Sequence, residues 1–443
     1  MYTDLAGLSS WGRDREGARP LPHDDREPFR VRDTGVGLIL TLKTPCVLLL
    51  RMKVCIMCGG EGTRLRPLTF ERPKPCIPIM NIPSIQHLVS HLSSLGFTDL
   101  VLTVGYMAEE IEQALGDGSL FNVSLKYVRE KTKLGTAGSV KNAQRYLEDG
   151  KFLVVGGDHV TTLNLLEFYR EHLHGHGILS IGLVSIDDPG EYGIAEIDAD
   201  YHVKRFREKP APGEIFSNLA STGMYVCNPE VLDHIPAGKK YDFARDLFPA
   251  LMEEGKLLKG WLARGNWTDV GSPRSLRQAE RWKLQELPHT SISGDLAMHG
   301  ARVVGPVQMG GSITLAAGSR IIGPVAIGAG TTIGEHVLVG PYTSLGEGCT
   351  IRGHTKIFSS SIYNRVVVGR NNSISGSVID NDTVVGDDCS IENDTVIGPR
   401  VHLADKVVVH SGTRIWPEVT VAQGTVVKEH VLNREYDLRY NGS

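Results

Sequence analysis

The sequence predicts a doubly wound, mostly parallel α/β sheet followed by a left-handed parallel β-helix. Two observations indicate this order of domains. Residues 52–287 alternate short apolar runs with stretches of helical periodicity, a pattern typical of βαβ units. Residues 301–430 instead place an aliphatic side chain at every sixth position, which is the spacing of one side of a triangular hexapeptide coil.

The first of these regions contains distinct strand and helix patterns. Strands are predicted at residues 53–57, 99–104, 124–129 and 152–156. An amphipathic helix is predicted where apolar side chains recur at helical spacing before Gly96, a residue suited to a helix C-terminus; these side chains are Ile85, Leu88, Val89, Leu92 and Leu95. Further helices are expected at 109–115 and 140–147.

The six-residue period occurs as two registered series, interrupted and then resumed. A repeat this short excludes helix pairs and does not fit simple strand alternation, so we expect each aliphatic side chain to point into the coil. The first series is Ile327, Ile333, Val339, Leu345 and Ile351, then Ile362, Val368 and Ile374. The second is Val385, Ile391, Ile397, Leu403, Val409, Ile415, Val421 and Val427.

Chain length and composition set the wider organisation. A chain of 443 residues is expected to form two or three domains. We expect a disordered N-terminal extension (1–51), an α/β domain (52–287), a linker (288–300), the β-helix (301–430) and a tail (431–443). The apolar run at 36–50 contains Lys43 and Pro45 and is shorter than a membrane span, so no membrane partner is predicted.

Charge and cysteine content exclude other classes. The net charge is −4 and the Lys and Arg residues are dispersed, so a nucleic-acid partner is not expected. The seven cysteines include Cys55 and Cys58 in an apolar run, but no second pair follows, which disfavours a zinc site. A reduced, cytoplasmic protein is the expectation.

A glycine-rich turn follows the first predicted strand. It contains Gly59, Gly60, Gly62 and Thr63, and the cations Arg64 and Lys74 come next. Glycines at the end of a parallel strand allow the backbone N–H groups to approach a polyphosphate, and two cations would offset its charge. Glycines alone also serve tight turns, and the absence of a GK[ST] ending excludes a P-loop.

Two aspartates are candidate metal ligands. Asp158 ends the strand run Leu153-Val154-Val155-Gly156-Gly157, and Asp269 lies in the run Trp267-Thr268-Asp269-Val270-Gly271. A carboxylate at the carboxyl end of a parallel strand lies where open α/β sheets bind ligands, and Mg²⁺ takes one or two carboxylates together with phosphate oxygens. Each Asp alone would also suit a turn or a helix cap.

The complete run GGEGTRLRPLT at 59–69, followed by PKP at 73–75, resembles the sugar-phosphate nucleotidyltransferase family over residues 52–271. The resemblance implies a Rossmann-like fold and a reaction between a nucleoside triphosphate and a hexose 1-phosphate that yields an NDP-sugar and pyrophosphate. It also implies that Arg64 and Lys74 are catalytic residues on the triphosphate, and that Asp158 and Asp269 bind Mg²⁺.

The resemblance extends to the two substrate subsites. The LGTAG stretch would contact the nucleotide through Gly135, Thr136 and Gly138, besides the glycine turn. The sugar side would consist of Gly193, Glu208, Thr222 and Gly223, with Lys209 as a third catalytic residue that holds the sugar phosphate. Ser221 is a departure, because many relatives carry Asn there. Taken alone, Glu208 and Lys209 would be a solvated pair at a strand end.

Substrate choice follows from resemblance to a branch of the family. LGTAG with a tail containing Ile415-Trp416-Pro417-Glu418 is most similar to mannose-1-phosphate guanylyltransferases, which implies GTP and mannose 1-phosphate. Glucose-1-phosphate thymidylyl- or uridylyltransfer is the nearby alternative. The expected mechanism is in-line attack by the sugar phosphate without a covalent enzyme intermediate.

Two alternative functions stay open, acyl transfer by the β-helix and a regulatory role without catalysis. Hexapeptide repeats also occur in acyltransferases, and a histidine in the repeat could supply a base; the candidates are His336, His354, His402 and His410. A non-catalytic regulatory subunit is another alternative, although the charged site residues are all retained. The regular faces of the β-helix predict a homo-oligomer.

Overall fold

The computed structural model describes residues 52–441, so the predicted extension at 1–51 lies outside the described residues. The α/β part begins at Lys53 and ends with a long helix before the β-helix. Its α-helices are α1 (Ser84–Ser94), α2 (Ala108–Leu115), α3 (Gly135–Asn142), α4 (Leu165–His174), α5 (Phe248–Glu253) and α6 (Pro273–Gln285), and α7 (Arg434–Asn441) follows the β-helix.

Thirteen strands belong to the α/β part. They are β1 (Lys53–Cys58), β2 (Pro78–Ile79), β3 (Ile82–Pro83), β4 (Asp99–Val104), β5 (Ser124–Arg129), β6 (Phe152–Gly156), β7 (His159–Thr161), β8 (Leu179–Ser185), β9 (Gly193–Ile197), β10 (Val203–Glu208), β11 (Leu219–Cys227), β12 (Leu258–Leu262) and β13 (Trp267–Asp269).

The central sheet has nine strands in the order β10-β9-β11-β6-β1-β4-β5, with β8 pairing β11 and β12. Strands β6, β1, β4 and β5 are parallel neighbours, which confirms the predicted doubly wound core. The other half is mixed, because β11 runs antiparallel to β6, β8 and β9. The predicted doubly wound fold is confirmed as a mixed sheet around this parallel core, and antiparallel neighbours need no crossover helix between them.

Burial explains why these elements form. Every residue of β1 except Met57 is buried, as expected for a strand covered by helices on both faces. Helix α1 buries Ile85, Leu88, Val89 and Leu92, and Gly96 takes a positive φ of 88° just beyond it. The predicted amphipathic helix and its end are confirmed.

One predicted helix begins earlier than expected. The spacing predicts a helix at 140–147, whereas α3 spans Gly135–Asn142 and is followed by a 3₁₀ turn at Gln144–Tyr146. The LGTAG stretch therefore opens the helix. The local pattern concealed this because Gly and Thr are weak helix formers, and packing on a distant segment stabilises the first turn.

The β-helix consists of three parallel sheets of eight strands each, the arrangement of a left-handed β-helix. Its strands in chain order are β14 (Ser291–Ile292), β15 (Leu296–Met298), β16 (Arg302–Val304), β17 (Val307–Met309), β18 (Ile313–Leu315), β19 (Arg320–Ile322), β20 (Val325–Ile327), β21 (Thr332–Ile333), β22 (Leu338–Val339), β23 (Thr343–Leu345), β24 (Thr350–Ile351), β25 (Lys356–Phe358), β26 (Ser361–Ile362), β27 (Val367–Val368), β28 (Ser373–Ser375), β29 (Val378–Ile379), β30 (Val384–Val385), β31 (Ser390–Ile391), β32 (Val396–Ile397), β33 (His402–Leu403), β34 (Val408–Val409), β35 (Arg414–Ile415), β36 (Thr420–Val421) and β37 (Val426–Val427).

All aliphatic positions of the two predicted series lie in one continuous buried core. The interruption between the series also has a structural reason. Leu345 pairs with Ile327 and with Ile362, so one coil has 18 residues and the next has 17. A five-residue side between Ile357 and Ile362, and another between Ile374 and Ile379, shift the register while the side chains stay buried.

The coils begin before residue 301 and the chain continues in a helix after them. Strands β14 and β15 lie in the range expected to be a linker, yet they pair with β17 and β18. Their aliphatic side chains are largely exposed at the end of the coil, for example Ile292 at 47% and Met298 at 45%. In the range expected to be a tail, α7 buries Tyr436 against Phe70 of the α/β part.

Among the helices of residues 52–441, none is both long enough and apolar enough to cross a membrane. The cysteine thiols of the same range are all free, and Cys55, Cys58 and Cys227 are buried. Burial raises the pKa of the Cys58 thiol well above its ordinary value. These thiols therefore stay protonated in the core.

Candidate active site

A cleft of about 860 Å³ opens at the carboxyl ends of β1, β5 and β6. A smaller cavity of about 230 Å³ adjoins it and contains Lys74. Open α/β sheets bind ligands at this edge. The structure brings most of the predicted site residues to the cleft wall: Gly59, Gly60, Gly62, Thr63, Arg64, Gly135, Thr136, Asp158, Gly193, Glu208, Lys209, Thr222, Gly223 and Asp269.

Lys74 joins the two predicted carboxylates. Its Nζ contacts Oδ2 of Asp158 and lies 3.8 Å from Oδ2 of Asp269. The three side chains are mostly shielded, with 15%, 18% and 25% of Lys74, Asp158 and Asp269 exposed. Residues far apart in the sequence therefore form one charged centre.

A short two-stranded ribbon brings Asp269 beside Asp158. Strand β13 pairs antiparallel with β7, so that Asp269 lies opposite His159. The backbone N–H of Val270 donates to the Asp158 carbonyl at 2.9 Å. Asp269 thus reaches the cleft from a different part of the chain than the parallel strands.

Burial and charge oppose each other at this centre. Burial alone would raise the pKa of Asp158, but the neighbouring Lys74 ammonium holds that pKa below its usual range. His159, which is also buried, has its pKa lowered by burial. Because one ammonium faces two carboxylates, the centre retains net negative charge.

The glycine turn approaches Lys74 closely at Gly62. This residue has φ 66°, and an added Cβ would lie 3.0 Å from Thr69 Cγ2 and 3.3 Å from Lys74 Cβ. The Thr69 hydroxyl donates to the Gly62 carbonyl at 2.9 Å. Only glycine combines this backbone conformation with so little space. Gly60, in contrast, faces open space, which leaves room for a ligand.

Arg64 projects from the same turn toward the cleft. Its Nη1 lies 3.7 Å from Oε2 of Glu191, and the two side chains are 57% and 77% exposed. An exposed pair at this separation contributes little to stability. The guanidinium is therefore available to an anionic ligand.

The LGTAG residues have structural as well as lining roles. An added Cβ on Gly135 would lie 2.7 Å from the Tyr241 carbonyl, and one on Gly138 would lie 2.7 Å from the Lys239 carbonyl. The Thr136 hydroxyl donates to Asp242 at 2.8 Å. Gly135 and Thr136 line the cleft, whereas Gly138 packs against the segment behind it, so its glycine is explained by close packing rather than by the cleft.

Glu208 and Lys209 lie on the far wall, at the end of β10. Glu208 pairs with Gly193 across the β9–β10 ladder, and an added Cβ on Gly193 would lie 2.8 Å from the Glu208 carboxylate. Burial raises the pKa of Glu208. Lys209 is exposed in the cleft with φ 44°, and its N–H donates to the Tyr192 carbonyl at 3.0 Å. Both residues line the cleft.

The remaining predicted sugar residues lie at a bulge of β11. The Thr222 hydroxyl donates to the Gly182 carbonyl at 2.9 Å, so it is engaged by the backbone of β8. Gly223 has φ 70°, and an added Cβ would lie 3.5 Å from the His159 ring. Ser221 lines the cleft beside them. This wall therefore presents backbone and small side chains.

Sequence reasoning missed several lining residues, of which Glu130 and His159 are the most informative. Glu130 directly follows β5, and its carboxylate accepts from the Ser139 hydroxyl. Burial raises the pKa of Glu130, against the hydrogen bonds from Ser139 and the Leu134 backbone. The signal was available, since Glu130 ends a parallel strand as Asp158 does. The aromatic lining residues Tyr192 and Trp267 had no comparable signal.

The four histidines considered for acyl transfer lie on the β-helix. His336 and His354 are exposed at equivalent corners and stack with ring centroids 5.2 Å apart. His410 Nδ1 lies 3.1 Å from Glu392 Oε2, and His402 is exposed on β33. The stacked pair is explained by the corner ladder of adjacent coils.

Fold and cleft together define an α/β domain with a ligand-sized cleft, joined to a β-helix. The comparisons with known proteins assign the chain to a family. A family model described as "Nucleotidyl transferase" matches residues 53–286, which is more than half of the chain, and one described as "GMPPB C-terminal domain" matches residues 321–432. The chain belongs to the nucleotidyl transferase family.

Similar curated proteins come from distant organisms. A UTP–glucose-1-phosphate uridylyltransferase of Synechocystis sp. is 34% identical over 55% of this chain and 66% of its own length. A mannose-1-phosphate guanylyltransferase of Mycobacterium tuberculosis is 32% identical over 49% and 60%, and a probable mannose-1-phosphate guanylyltransferase 3 of Oryza sativa subsp. japonica is 33% identical over 60% and 74%. The chain thus spans less than two thirds of the first two relatives.

Proposed function

We propose that this chain transfers a nucleotidyl group from a nucleoside triphosphate to a hexose 1-phosphate, releasing pyrophosphate, and that its substrates are GTP and mannose 1-phosphate. The observation that carries the proposal is the position of Lys74 between Asp158 and Asp269 beneath the glycine turn. A polyphosphate in this cleft would meet cations at the site of attack. The guanylyltransferase names of two relatives support the choice of substrates.

In the proposed reaction a sugar phosphate oxygen attacks the α-phosphorus of the triphosphate. The new P–O bond forms as the bond between the α-phosphorus and its bridging oxygen to the β-phosphorus breaks, and pyrophosphate leaves with that electron pair. Because the nucleophile is already an anion, no general base is required. Arg64 and Lys74 stabilise the charge that gathers on the α-phosphate oxygens.

The cleft walls divide the substrates between them. The glycine turn would contact the triphosphate through its backbone N–H groups, and Gly135 and Thr136 lie on the nucleoside side. Lys209 would hold the sugar phosphate, and Glu208 would accept from sugar hydroxyls beside Gly193, Thr222 and Gly223. Holding both reactants in line lowers the barrier by orientation.

The two aspartates suit a divalent cation. Members of the family generally use one, and we propose Mg²⁺ held by Asp158 and Asp269. Carboxylate oxygens are its preferred protein ligands, and one Lys74 ammonium leaves the pair with net negative charge to balance. When bound, Mg²⁺ supplies charge neutralisation at the phosphate oxygens. Asp158 and Asp269 would hold the ion at the cleft wall.

Glu130 supports guanine as the base. A carboxylate only accepts hydrogen bonds, and the Watson–Crick edge of guanine offers two adjacent donors, N1–H and the N2 amino group. Uracil and thymine offer only N3–H there. Glu130 lines the cleft next to Leu134, Gly135 and Thr136 and is oriented by Ser139. Uridylyl transfer to glucose 1-phosphate is the second candidate, favoured by the name of the Synechocystis relative.

The wider organisation is proposed on the same basis. The α/β domain at 52–287 would carry the catalytic site, and the β-helix predicted at 301–430 would join copies of the chain into a homo-oligomer. The free thiols fit a reducing compartment, so we propose that the protein acts in the cytoplasm.

A substrate matrix tests the proposal. Each of five nucleoside triphosphates is combined with mannose, glucose and galactose 1-phosphates and Mg²⁺, and pyrophosphate release is measured. We expect the highest kcat/KM with GTP and mannose 1-phosphate. Release with UTP and glucose 1-phosphate at a higher kcat/KM would favour the second candidate. Nucleotide binding without release in any combination would overturn the proposed activity and indicate a regulatory subunit.

A further inference from the structure

The segment that carries the two phosphate-binding cations lies against the β-helix. Between Arg64 and Lys74 the chain contains 3₁₀ turns at Thr63–Leu65 and Lys74–Cys76 but no strand or α-helix. Short-range hydrogen bonds close its turns, for example from Leu65 N–H to the Gly62 carbonyl at 2.9 Å and from Leu68 N–H to the Leu65 carbonyl at 3.0 Å. Partners outside the segment hold these turns in place. Most of these partners come from coils more than 300 residues away in the sequence.

Three contacts tie side chains of this segment to the β-helix and to α7. Phe70 is fully buried, and its ring packs against Trp416 at 4.7 Å and Tyr436 at 5.5 Å between centroids. The Arg400 guanidinium donates to both oxygens of Glu71. Arg72 donates to the buried Asp380 at 2.8 Å. These contacts fasten the middle of the segment.

Arg414 of β35 makes a contact of a different kind. Its Nη1 donates to the backbone carbonyls of Arg64 and Arg66 at 2.9 and 3.0 Å. The carbonyls at the end of a helical turn have no hydrogen-bond donor within the turn. Here Arg414 is the donor. It therefore contacts the main chain of the residue whose side chain reaches the cleft.

Arg414 differs from the other arginines at this domain contact in its hydrogen-bond partners. Arg72 and Arg400 each pair with a carboxylate, whereas no carboxylate within residues 52–441 forms an ion pair with Arg414. The side chain is half-buried, and removing a cation from water is unfavourable unless its donors are satisfied. The carbonyls of Arg64 and Arg66, just after the glycine turn, accept from its Nη1, which couples Arg414 to the main-chain conformation there.

We infer that the β-helix is part of the catalytic apparatus: Arg414 is a positioning residue that holds the Arg64 main chain so that the guanidinium of Arg64 faces the triphosphate. The inference rests on the proposed function for its catalytic consequence. It assigns to the β-helix a role in the reaction that is separate from assembly. Misplacing a charged group by about 1 Å can reduce a rate on the order of 100-fold.

Variants of the full chain test this role. Arg414→Ala removes both hydrogen bonds, and Arg414→Lys keeps a charge that can reach one carbonyl. The matched control is Arg365→Ala, because Arg365 is an exposed arginine of the same β-helix that pairs with Asp382 at 2.6 Å. We expect Arg414→Ala to lower kcat about 10- to 100-fold and to leave the KM for mannose 1-phosphate unchanged, with partial recovery in Arg414→Lys.

Hydrogen exchange gives a readout that does not depend on activity. In Arg414→Ala, backbone amides of residues 62–70 should exchange faster than in the wild type, and in Arg365→Ala they should not. Thermal melting identifies any variant that is globally unfolded, in which case Arg414→Lys and Arg414→Gln supply the comparison.

The outcomes separate the two proposals. If the wild type releases no pyrophosphate with any substrate pair, the proposed function fails, and exchange at 62–70 alone decides whether Arg414 holds the turn. If the wild type is active and Arg414→Ala matches Arg365→Ala in kcat and in exchange, the inference is overturned. An equal fall in both variants would likewise contradict it.

Discussion

Buried polar groups find different partners in the two domains. In the β-helix, Thr331, Thr355 and Thr383 each donate to a glycine carbonyl of the next coil at 2.8, 2.8 and 2.9 Å. In the cleft, the main partners of Lys74, Asp158 and Asp269 are one another.

The difference shows where chemistry is expected. Thr331, Thr355 and Thr383 are satisfied by the neighbouring coil and need no ligand to complete their hydrogen bonds. The cleft combines shielded charges with unfilled volume and an excess of negative charge, an arrangement that a cation and a polyphosphate would complete. We therefore expect substitutions in the cleft to affect rate, and substitutions in the coils to affect stability.

The largest effect should come from the charged centre. Lys74→Ala removes the ammonium that would stabilise the α-phosphate oxygens, and kcat should fall by about 100-fold or more. Pyrophosphate release under saturating substrates measures it. Lys126→Ala is the control, since Lys126 is partly exposed on β5 and pairs with Asp99 at 3.8 Å. A loss below about tenfold would remove Lys74 from the proposed role.

A substitution in the coil core should show the opposite pattern. Ile351→Ala deletes a fully buried side chain and should lower the free energy of unfolding by about 2–5 kcal/mol. The kcat of the folded fraction should stay at the wild-type value, because residues 64–74 contact other β-helix side chains, among them Arg400, Arg414 and Trp416. Chemical denaturation and steady-state rates provide the two readouts. A loss of rate larger than the loss of folded protein would contradict the expectation that coil substitutions affect only stability.

Glu280 of α6 predicts a pH dependence at the domain boundary. Its carboxylate is buried and accepts from the hydroxyls of Ser344 and Ser361, and burial raises its pKa from 4.5 to about 7. A raised pKa contributes stability that is present below about pH 4.5 and is lost as the pH rises through about 7. The contribution is up to about 3 kcal/mol.

Glu280→Gln cannot titrate, so the variant should gain stability relative to the wild type between pH 5 and pH 8. Melting temperatures at both pH values measure the gain. Glu429→Gln, an exposed substitution of the same kind, is the control. Identical pH profiles for Glu280→Gln and the wild type would show that this carboxyl titrates normally.

The smallest expected effect concerns base choice. Glu130→Gln replaces one acceptor oxygen by a donor, and the preference for GTP over UTP should fall on the order of 10-fold. The ratio of kcat/KM values for the two nucleotides measures it. Glu61→Gln makes the same change elsewhere on the cleft wall and should leave the ratio unchanged. An unaltered ratio in Glu130→Gln would remove this residue from base recognition.

Periodicity made the β-helix predictable. Each aliphatic position of the two series is buried because a six-residue period returns the side chain to the interior at every side of the coil. The first coil escaped prediction since Ile292 and Met298 lie exposed at its end. Strands β4 and β6 were predictable because each is a short, mostly apolar run between helices, and β5 because apolar side chains recur among its polar ones.

The cleft was predictable only in part. Gly62, Arg64 and Asp158 belong to runs whose pattern indicates their place after a strand, whereas Lys74 was assigned to the site through the PKP run and the family resemblance. The antiparallel pairing of β13 with β7 and the contacts from Arg414 depend on packing between distant segments, for which one sequence contains no local signal. Gly138 is a different case. It belongs to the recognisable LGTAG run, yet the structure uses it for close packing against Lys239.

The most direct test follows the α-phosphate itself. The full chain is incubated with Mg²⁺, mannose 1-phosphate and GTP labelled at the α-phosphorus, and the same experiment is carried out with Asp158→Asn and Asp269→Asn. We predict that the label appears in GDP-mannose with one pyrophosphate released per sugar nucleotide, and that both variants lose this transfer. Label that remains in GTP with the wild type, or transfer at the wild-type rate in either variant, would contradict a single phosphate-transfer centre formed by Lys74, Asp158 and Asp269.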